Sequence, residues 1–89
     1  MKNVVNKPWG SFEIIDKGEK YTVKKITVHP GGLLSLQSHK HRSEHWLIAS
    51  GEAEVIIDDK TYKLKANENI FIPRRSKHRL NNRSSSNLI

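Results

Sequence analysis

Histidines and one glutamate stand close together in residues 37–46. His39 and His41 are separated by one residue, and Glu44 follows them after a short loop. Side chains at i and i+2 of an extended strand point to the same face, and imidazole and carboxylate groups are good ligands for Zn, Fe, Mn, Ni or Co. The spacing therefore predicts a divalent metal site, whose remaining ligand must come from another part of the chain. We expect that ligand to be His78, because it follows a strand and a turn.

The two remaining histidines are expected to have other roles. His29 precedes Pro30 and two glycines, which is a turn sequence, so we expect it in a surface loop. His45 directly follows Glu44 and should face away from it in a strand. We therefore expect His45 to pack or to hydrogen-bond rather than to bind a metal.

Short strands are the elements that must position these side chains. Five Gly and three Pro punctuate runs of β-branched and aromatic residues, and no long window has a helical period. In the segment 33–41, Leu34 and Leu36 share one parity and the polar residues share the other, which predicts an extended strand. A change of phase at Lys24 and Lys25 predicts a bulge or break in the strand there. Strands are also predicted around residues 46–49, 53–57, 62–64, 70–72 and 78–80, a spacing typical of an antiparallel sandwich or barrel.

Length, charge and cysteine content narrow the classes of protein. The chain has 89 residues, and its 16 Lys plus Arg against 9 Asp plus Glu give a formal charge of +7. This length allows one domain with a thin core, and the absence of cysteine excludes a disulfide framework and a thiolate metal site. The apolar runs are too short to span a membrane and the start lacks a secretory signal, so we predict a cytoplasmic protein without a membrane partner. The positive charges are spread along the chain without a nucleic-acid motif, which disfavours nucleic acid and leaves an anionic small molecule, such as a sugar phosphate, as a candidate ligand.

The segment with the histidines resembles the first motif of the cupin superfamily. That motif has two histidines, a glutamate and a glycine, and Glu44 with Gly51 fits its second half. Counting back from Glu44 by the longer of the usual spacings places the two ligand positions at Gln37 and His39. A different register uses His39 and His41 but leaves a shorter gap before the glutamate than the motif has.

The second cupin motif is matched further along the chain. Pro73, His78 and Asn82 fit it. Asn67 and Arg75 stand at its two glycine positions, and Arg75 is the larger departure.

Several stretches also resemble one particular family of cupins. They cover nearly the whole chain: KPWGSFE at 7–13, YTVKKITV at 21–28, LSLQ at 34–37, HKHRSEHW at 39–46 and HRL at 78–80. On these residues the chain resembles the type II phosphomannose isomerase cupin. That cupin is usually the C-terminal part of bifunctional mannose-1-phosphate guanylyltransferase/mannose-6-phosphate isomerase. Nothing in this sequence resembles the nucleotidyltransferase part, so such a domain on another chain is a candidate partner.

The resemblance implies an all-β fold, namely a cupin barrel of the double-stranded β-helix or jelly-roll kind. It implies a single cupin domain at 1–89, with an N-terminal strand and arm at 1–20, a core containing both motifs at 21–82, and a polar tail with the start of a further strand at 83–89. Because the strands expected after residue 82 are mostly missing, we expect a barrel truncated at its C-terminus. Its exposed edges would favour a homodimer.

The implied chemistry is the metal-dependent interconversion of mannose 6-phosphate and fructose 6-phosphate, on the route to GDP-mannose and polysaccharides. The implied ligands of a divalent ion (Zn, Mn, Fe, Co or Ni) are Gln37, His39, Glu44 and His78, with His41 as the alternative ligand. His41 is also our candidate for proton transfer. Arg42 is the first candidate for binding the substrate phosphate, and the other candidates are Lys40, Arg74 and Arg75. Two other hypotheses stay open: a non-catalytic cupin that binds a sugar phosphate or supports an oligomer, and a basic nucleic-acid-binding β domain.

Overall fold

The computed structural model describes residues 3–89, and within them eight strands form three antiparallel sheets. The first sheet has the order β1-β2-β3, with β1 at Val4–Lys7, β2 at Gly10–Lys17 and β3 at Thr22–Val28. The second sheet pairs β4, Glu44–Leu47, with β7, Asn69–Ile72. The third has the order β6-β5-β8, with β5 at Glu52–Ile57, β6 at Lys60–Lys65 and β8 at His78–Asn81. No helix occurs in the described part of the chain, which confirms the all-β prediction. It follows that this part offers no helical segment able to cross a membrane.

The hydrophobic core receives side chains from all three sheets. Its buried members in residues 3–89 are Val28, Ile48, Ala53, Val55, Ile72, Leu80 and Leu88. The alternation of a strand explains the contribution of β5, because Ala53 and Val55 are buried while Glu54 between them lies on the other face. Burial stabilises each such Val, Leu or Ile side chain by about 1.5–3 kcal/mol relative to exposure. The core therefore fixes how the sheets face one another.

The segment 33–41 is not the continuous strand that its alternation predicts. Leu33 and Gln37 form isolated bridges with Asn81 and His78, so the first half of the segment runs along β8. Beyond Gln37 the chain leaves β8, and the carbonyl of His39 accepts a hydrogen bond from the backbone N–H of Arg75, at 2.7 Å. The strand prediction is therefore wrong for residues 38–41, which form a loop without fixed alternation.

The irregularity predicted at Lys24 and Lys25 occurs beside Lys24 but in the partner strand. Strand β3 runs through both lysines without interruption. The register of β2 with β3 shifts between Ile14 and Asp16, which lie opposite Lys24 and Val23. The ladder therefore contains a bulge whose extra residue is Ile15 of β2.

Tight turns occur at the places where the sequence predicts them. Gly31 has φ 79°, Asp58 in the hairpin between β5 and β6 has φ 52°, and Asn67 has φ 73°. Arg75 has φ 69°, although it stands where the cupin motif has a glycine. The turn before β8 thus keeps a left-handed residue despite the departure from the motif.

Residues 83–89 are packed onto the rest of the fold. Leu88 is 1% exposed, and it exchanges two backbone hydrogen bonds with Val28 at the end of β3. The backbone of Ile89 bonds to Ala49 and Ser50, which follow β4. Strand β1 is paired on one side, by β2. The homodimer through an edge strand stays a prediction.

Candidate metal centre

Three of the predicted ligand residues come together at one place. One donor atom from each of His39, Glu44 and His78 lies within 4.8 Å of the other two. The Oε2 atom of Glu44 is 3.2 Å from Nε2 of His39 and 3.5 Å from Nε2 of His78. Two imidazoles and one carboxylate are a donor set that suits a divalent transition metal. The prediction that these three residues converge is confirmed.

His78 is held in place by the strand that carries it. It is the first residue of β8, and it shares an inward face with Leu80, so that it is 4% exposed. The edge of its ring meets the ring of Trp46, with centroids 5.6 Å apart and an interplanar angle of 82°. Among the described residues no group hydrogen-bonds its buried Nδ1 atom. The ring is thus fixed by packing, while Nε2 points at the carboxylate of Glu44.

Glu44 uses its two oxygens for different contacts. Oε1 accepts a hydrogen bond from Nε1 of Trp46 at 3.0 Å. Oε2 faces the two imidazoles. Trp46 lies two residues further along β4, on the same face of the strand. The indole therefore orients the carboxylate as an outer-shell partner orients a metal ligand.

The surroundings of His39 favour its neutral form. Burial lowers the pKa of His39 most, the positive charge of Arg42 lowers it further, and the negative charge of Glu44 opposes both effects. Nη2 of Arg42 lies 2.9 Å from Nε2 of His39 and 3.4 Å from Oε2 of Glu44. A neutral imidazole has a free lone pair at neutral pH, which is the state that binds metals. The donor set therefore fits a divalent ion, and Arg42 lies directly beside it.

The structure places the other two predicted ligands differently. Gln37 pairs through its backbone with His78, at 2.9 and 2.8 Å, and lines the same cavity as Glu44 and His78. Its Nε2 atom donates to the hydroxyl of Ser35 at 3.4 Å. His41 lies outside the cluster and lines a neighbouring depression, together with Arg42 and Arg74. Ligation by Gln37 and both roles of His41 stay predictions.

Glu44 and His78 form part of the wall of a cavity of about 280 Å³. Apolar and aromatic side chains line much of it, namely Trp9, Phe12, Ile26, Leu34, Trp46 and Leu80. Lys7 and Lys24, which the sequence-based assignment of phosphate ligands omits, also line it. The signal that could have found Lys24 is parity, because it is separated by two and by four residues from Ile26 and the buried Val28 on β3. The cavity thus joins a metal-binding donor set to a cationic wall.

Solved structures with the same arrangement of strands define the class of fold. KdgF from Halomonas sp. superimposes with a TM-score of 0.88 at 13% sequence identity, over 97% of this chain and 79% of that one. An RmlC-like cupin from Shewanella frigidimarina gives a TM-score of 0.87 at 19% identity, over 98% and 78%. The Schizosaccharomyces pombe Cnp3 cupin domain gives 0.82 at 15% identity, over 97% and 62%. The fold is that of the cupins, as predicted.

Sequence comparison defines the family within that class. The family described as "Mannose-6-phosphate isomerase C-terminal" matches residues 1–89, and the chain belongs to it. The alginate biosynthesis protein AlgA of Pseudomonas aeruginosa is 53% identical over 78 residues, which are 88% of this chain and 16% of the relative. Mannose-1-phosphate guanylyltransferase 2 of Escherichia coli O157:H7 is 54% identical over the same shares. Mannose-1-phosphate guanylyltransferase ManC of Salmonella typhimurium is 48% identical over 92% of this chain and 17% of the relative. The chain therefore spans about a sixth of the length of these curated relatives.

Proposed function

We propose that this chain is a mannose-6-phosphate isomerase domain that interconverts mannose 6-phosphate and fructose 6-phosphate with a bound divalent metal. The observation that carries the proposal is the convergence of His39, Glu44 and His78, within 4.8 Å of one another, in a chain of this family. Glu44 and His78 also line a cavity of about 280 Å³. The names of the relatives include alginate and mannose-1-phosphate guanylyltransferase proteins, which supports a role in making GDP-mannose for polysaccharides. A nucleotidyltransferase domain is the partner that these names suggest.

The reaction needs a proton to move between C1 and C2 of the sugar through an enediol, while negative charge develops on the adjacent oxygen. His39, Glu44 and His78 would hold the metal, with Gln37 completing the set from the same cavity wall. A bound divalent ion supplies positive charge for the developing oxyanion. Trp46 would keep the Glu44 carboxylate directed at that position through its 3.0 Å hydrogen bond. The guanidinium of Arg42, beside His39, adds a second positive charge at the reacting end.

The proton-transfer step is assigned to His41 from the sequence. Its depression shares Arg42 with the cavity, so the reacting carbons would have to lie at that shared rim. The placement of His41 outside the donor cluster favours a second candidate function, in which the domain binds a sugar phosphate without turning it over. The two functions differ in whether the wild-type protein turns over mannose 6-phosphate, and in the first function substitution of His41 abolishes that turnover.

The test is a coupled assay for fructose 6-phosphate, run on protein loaded with Mn, Co, Zn or Ni. We expect the wild type to turn over mannose 6-phosphate and His78→Ala to lose both the metal and turnover. His29→Ala is the matched control, because His29 is exposed and lies outside the cluster. Equal behaviour of His78→Ala and His29→Ala would contradict the proposal. Metal binding and mannose 6-phosphate binding without turnover would establish the second candidate instead.

A further inference from the structure

We propose that Lys24 and Lys7 bind the phosphate of the sugar phosphate, on the wall of the cavity formed by the sheet β1-β2-β3. This inference rests on the proposed function and names the phosphate end of the same site. It replaces Arg42 with the two lysines as the phosphate ligands.

The register of the first sheet directs both lysines to the cavity. Residues that pair directly across an antiparallel ladder point to the same face. Phe12 pairs with Ile26 and Lys7 with Gly10, so Lys7, Phe12 and Ile26 share a face. Lys24 has the parity of Ile26 on β3. All four of these side chains line the cavity, as the register requires.

Both ammonium groups lie beside the same aromatic ring. Nζ of Lys24 is 5.0 Å from the centroid of the Phe12 ring, and Nζ of Lys7 is 6.0 Å from it. The cation–π attraction holds each of these flexible side chains beside the Phe12 ring. It does so without consuming their hydrogen-bond donors, which stay available to an anion.

The two lysines carry charge that no carboxylate neutralises. Within residues 3–89, no ion pair of 4.0 Å or less involves Lys7 or Lys24. Among residues 3–89, Glu44 is the only acidic residue lining the cavity, and Arg42 together with the imidazoles already surrounds it. An excess of positive charge in a partly enclosed cavity favours an anionic ligand.

The shape of the substrate suggests different roles for Arg42 and for the pair Lys7 and Lys24. In a hexose 6-phosphate the reacting carbons, C1 and C2, and the phosphate on C6 lie at opposite ends of the molecule. Arg42 contacts His39 at 2.9 Å, so it belongs to the end where C1 and C2 must lie. Lys7 and Lys24 come from a different sheet than Glu44 and His78, and the wall that they form is the cationic surface left for the phosphate.

Lys24→Gln and Lys25→Gln form a matched pair for the test. Both remove one positive charge from β3, but Lys25 has the opposite parity, pairs with Glu13 and does not line the cavity. The binding of mannose 6-phosphate, and of inorganic phosphate as a second probe, is measured by calorimetry on metal-loaded protein. We expect Lys24→Gln to weaken both about 10-fold to 100-fold, which corresponds to the loss of one charge-assisted hydrogen bond. We expect a further loss in the Lys7→Gln/Lys24→Gln double variant, and a change of less than about twofold in Lys25→Gln. Metal stoichiometry should be unchanged in every variant.

The outcomes separate this inference from the proposed function. Equal affinities of Lys24→Gln and Lys25→Gln would overturn the inference even if the wild type is an active isomerase. Lys24-dependent phosphate binding in a protein that does not interconvert the sugars would uphold the inference and overturn the isomerase function. If the wild type binds neither probe, the lysines do not form a phosphate site.

Discussion

Replacement of Glu44 by glutamine tests whether the carboxylate binds a metal, because glutamine has nearly the same size and shape as glutamate. Oε1 of the carboxylate accepts a hydrogen bond from the indole N–H of Trp46, and Oε2 faces the two imidazoles. A glutamine has one oxygen and one NH2 group. If the oxygen stays with Trp46, the NH2 faces the metal position and cannot bind a cation. If the amide flips, two N–H donors oppose each other at Trp46.

The expected loss of metal affinity follows from this conflict. A site with four protein ligands for zinc has an apparent binding free energy of about 10–16 kcal/mol near pH 7. Removal of one of four ligands from such a site costs about a quarter of that, or about 2.5–4 kcal/mol, which is about 10² to 10³ in Kd. Since Glu44 also supplies the only negative charge that the described residues place on the cavity wall, we expect the upper part of that range.

The assay is titration of the metal-free protein with Zn²⁺, with Co²⁺ absorbance as an independent readout of the ligand geometry. Glu52→Gln is the control, because it removes the same charge from an exposed position outside the cavity. Thermal unfolding of the metal-free proteins checks that both variants fold. An unchanged Kd in Glu44→Gln would refute the assignment of this carboxylate as a ligand, and so would a loss of the same size in Glu52→Gln.

Three further predictions concern the fold. Gly10→Ala should prevent folding or lower the Tm severely, because at φ 150° the new Cβ would overlap the carbonyl oxygen of Thr27. In Gly31→Ala, at φ 79°, the new Cβ meets open space, so this variant should cost only about 1–2 kcal/mol. Equal Tm losses in the two variants would contradict this prediction. A hydrogen bond from the amide of Asn81, and then the guanidinium of Arg83, hold the pKa of Glu54 below its ordinary 4.5, while burial opposes them. The stabilising contribution of Glu54 is therefore present above pH 4.5 and is lost as the pH falls below it. The Tm advantage of the wild type over Glu54→Gln should therefore shrink in acid, and an advantage that grew there would contradict the sign. Asn82→Ala should cost about 1–3 kcal/mol in urea unfolding because the 1% exposed amide donates to two backbone carbonyls, and a loss below about 0.5 kcal/mol would show that those carbonyls find other donors.

The part of the site that the sequence predicts correctly is set by strand positions. Glu44 begins β4 and His78 begins β8, which belong to different sheets, so the packing of these sheets brings the two residues together. The spacing of His39 from Glu44 is a local property of one loop and is therefore visible in the chain itself. The family motif adds the information that these separate segments face a common cavity.

The structure differs from the sequence pattern where local alternation is not the deciding factor. His41 shares the parity of His39, but the two residues lie in a loop, where i and i+2 side chains need not point the same way. The phase change in β3 gives no indication that the extra residue lies in β2, because a bulge belongs to a pair of strands. A search for phosphate ligands close to the histidines in sequence does not find Lys24. This residue reaches the cavity because the first sheet, whose strands precede the histidine segment, forms one of its walls.

The docking of Leu88 and Ile89 has a consequence for the dynamics of the molecule. Leu88 is hydrogen-bonded to Val28 of the first sheet, and Ile89 accepts from the amide of Ala49, next to the second. Two adjacent residues thus fasten segments from separate sheets. Their detachment would release the amide hydrogens of Val28 and Ala49 in one opening event, and deuterium uptake at these two positions should then proceed at a common, slow rate.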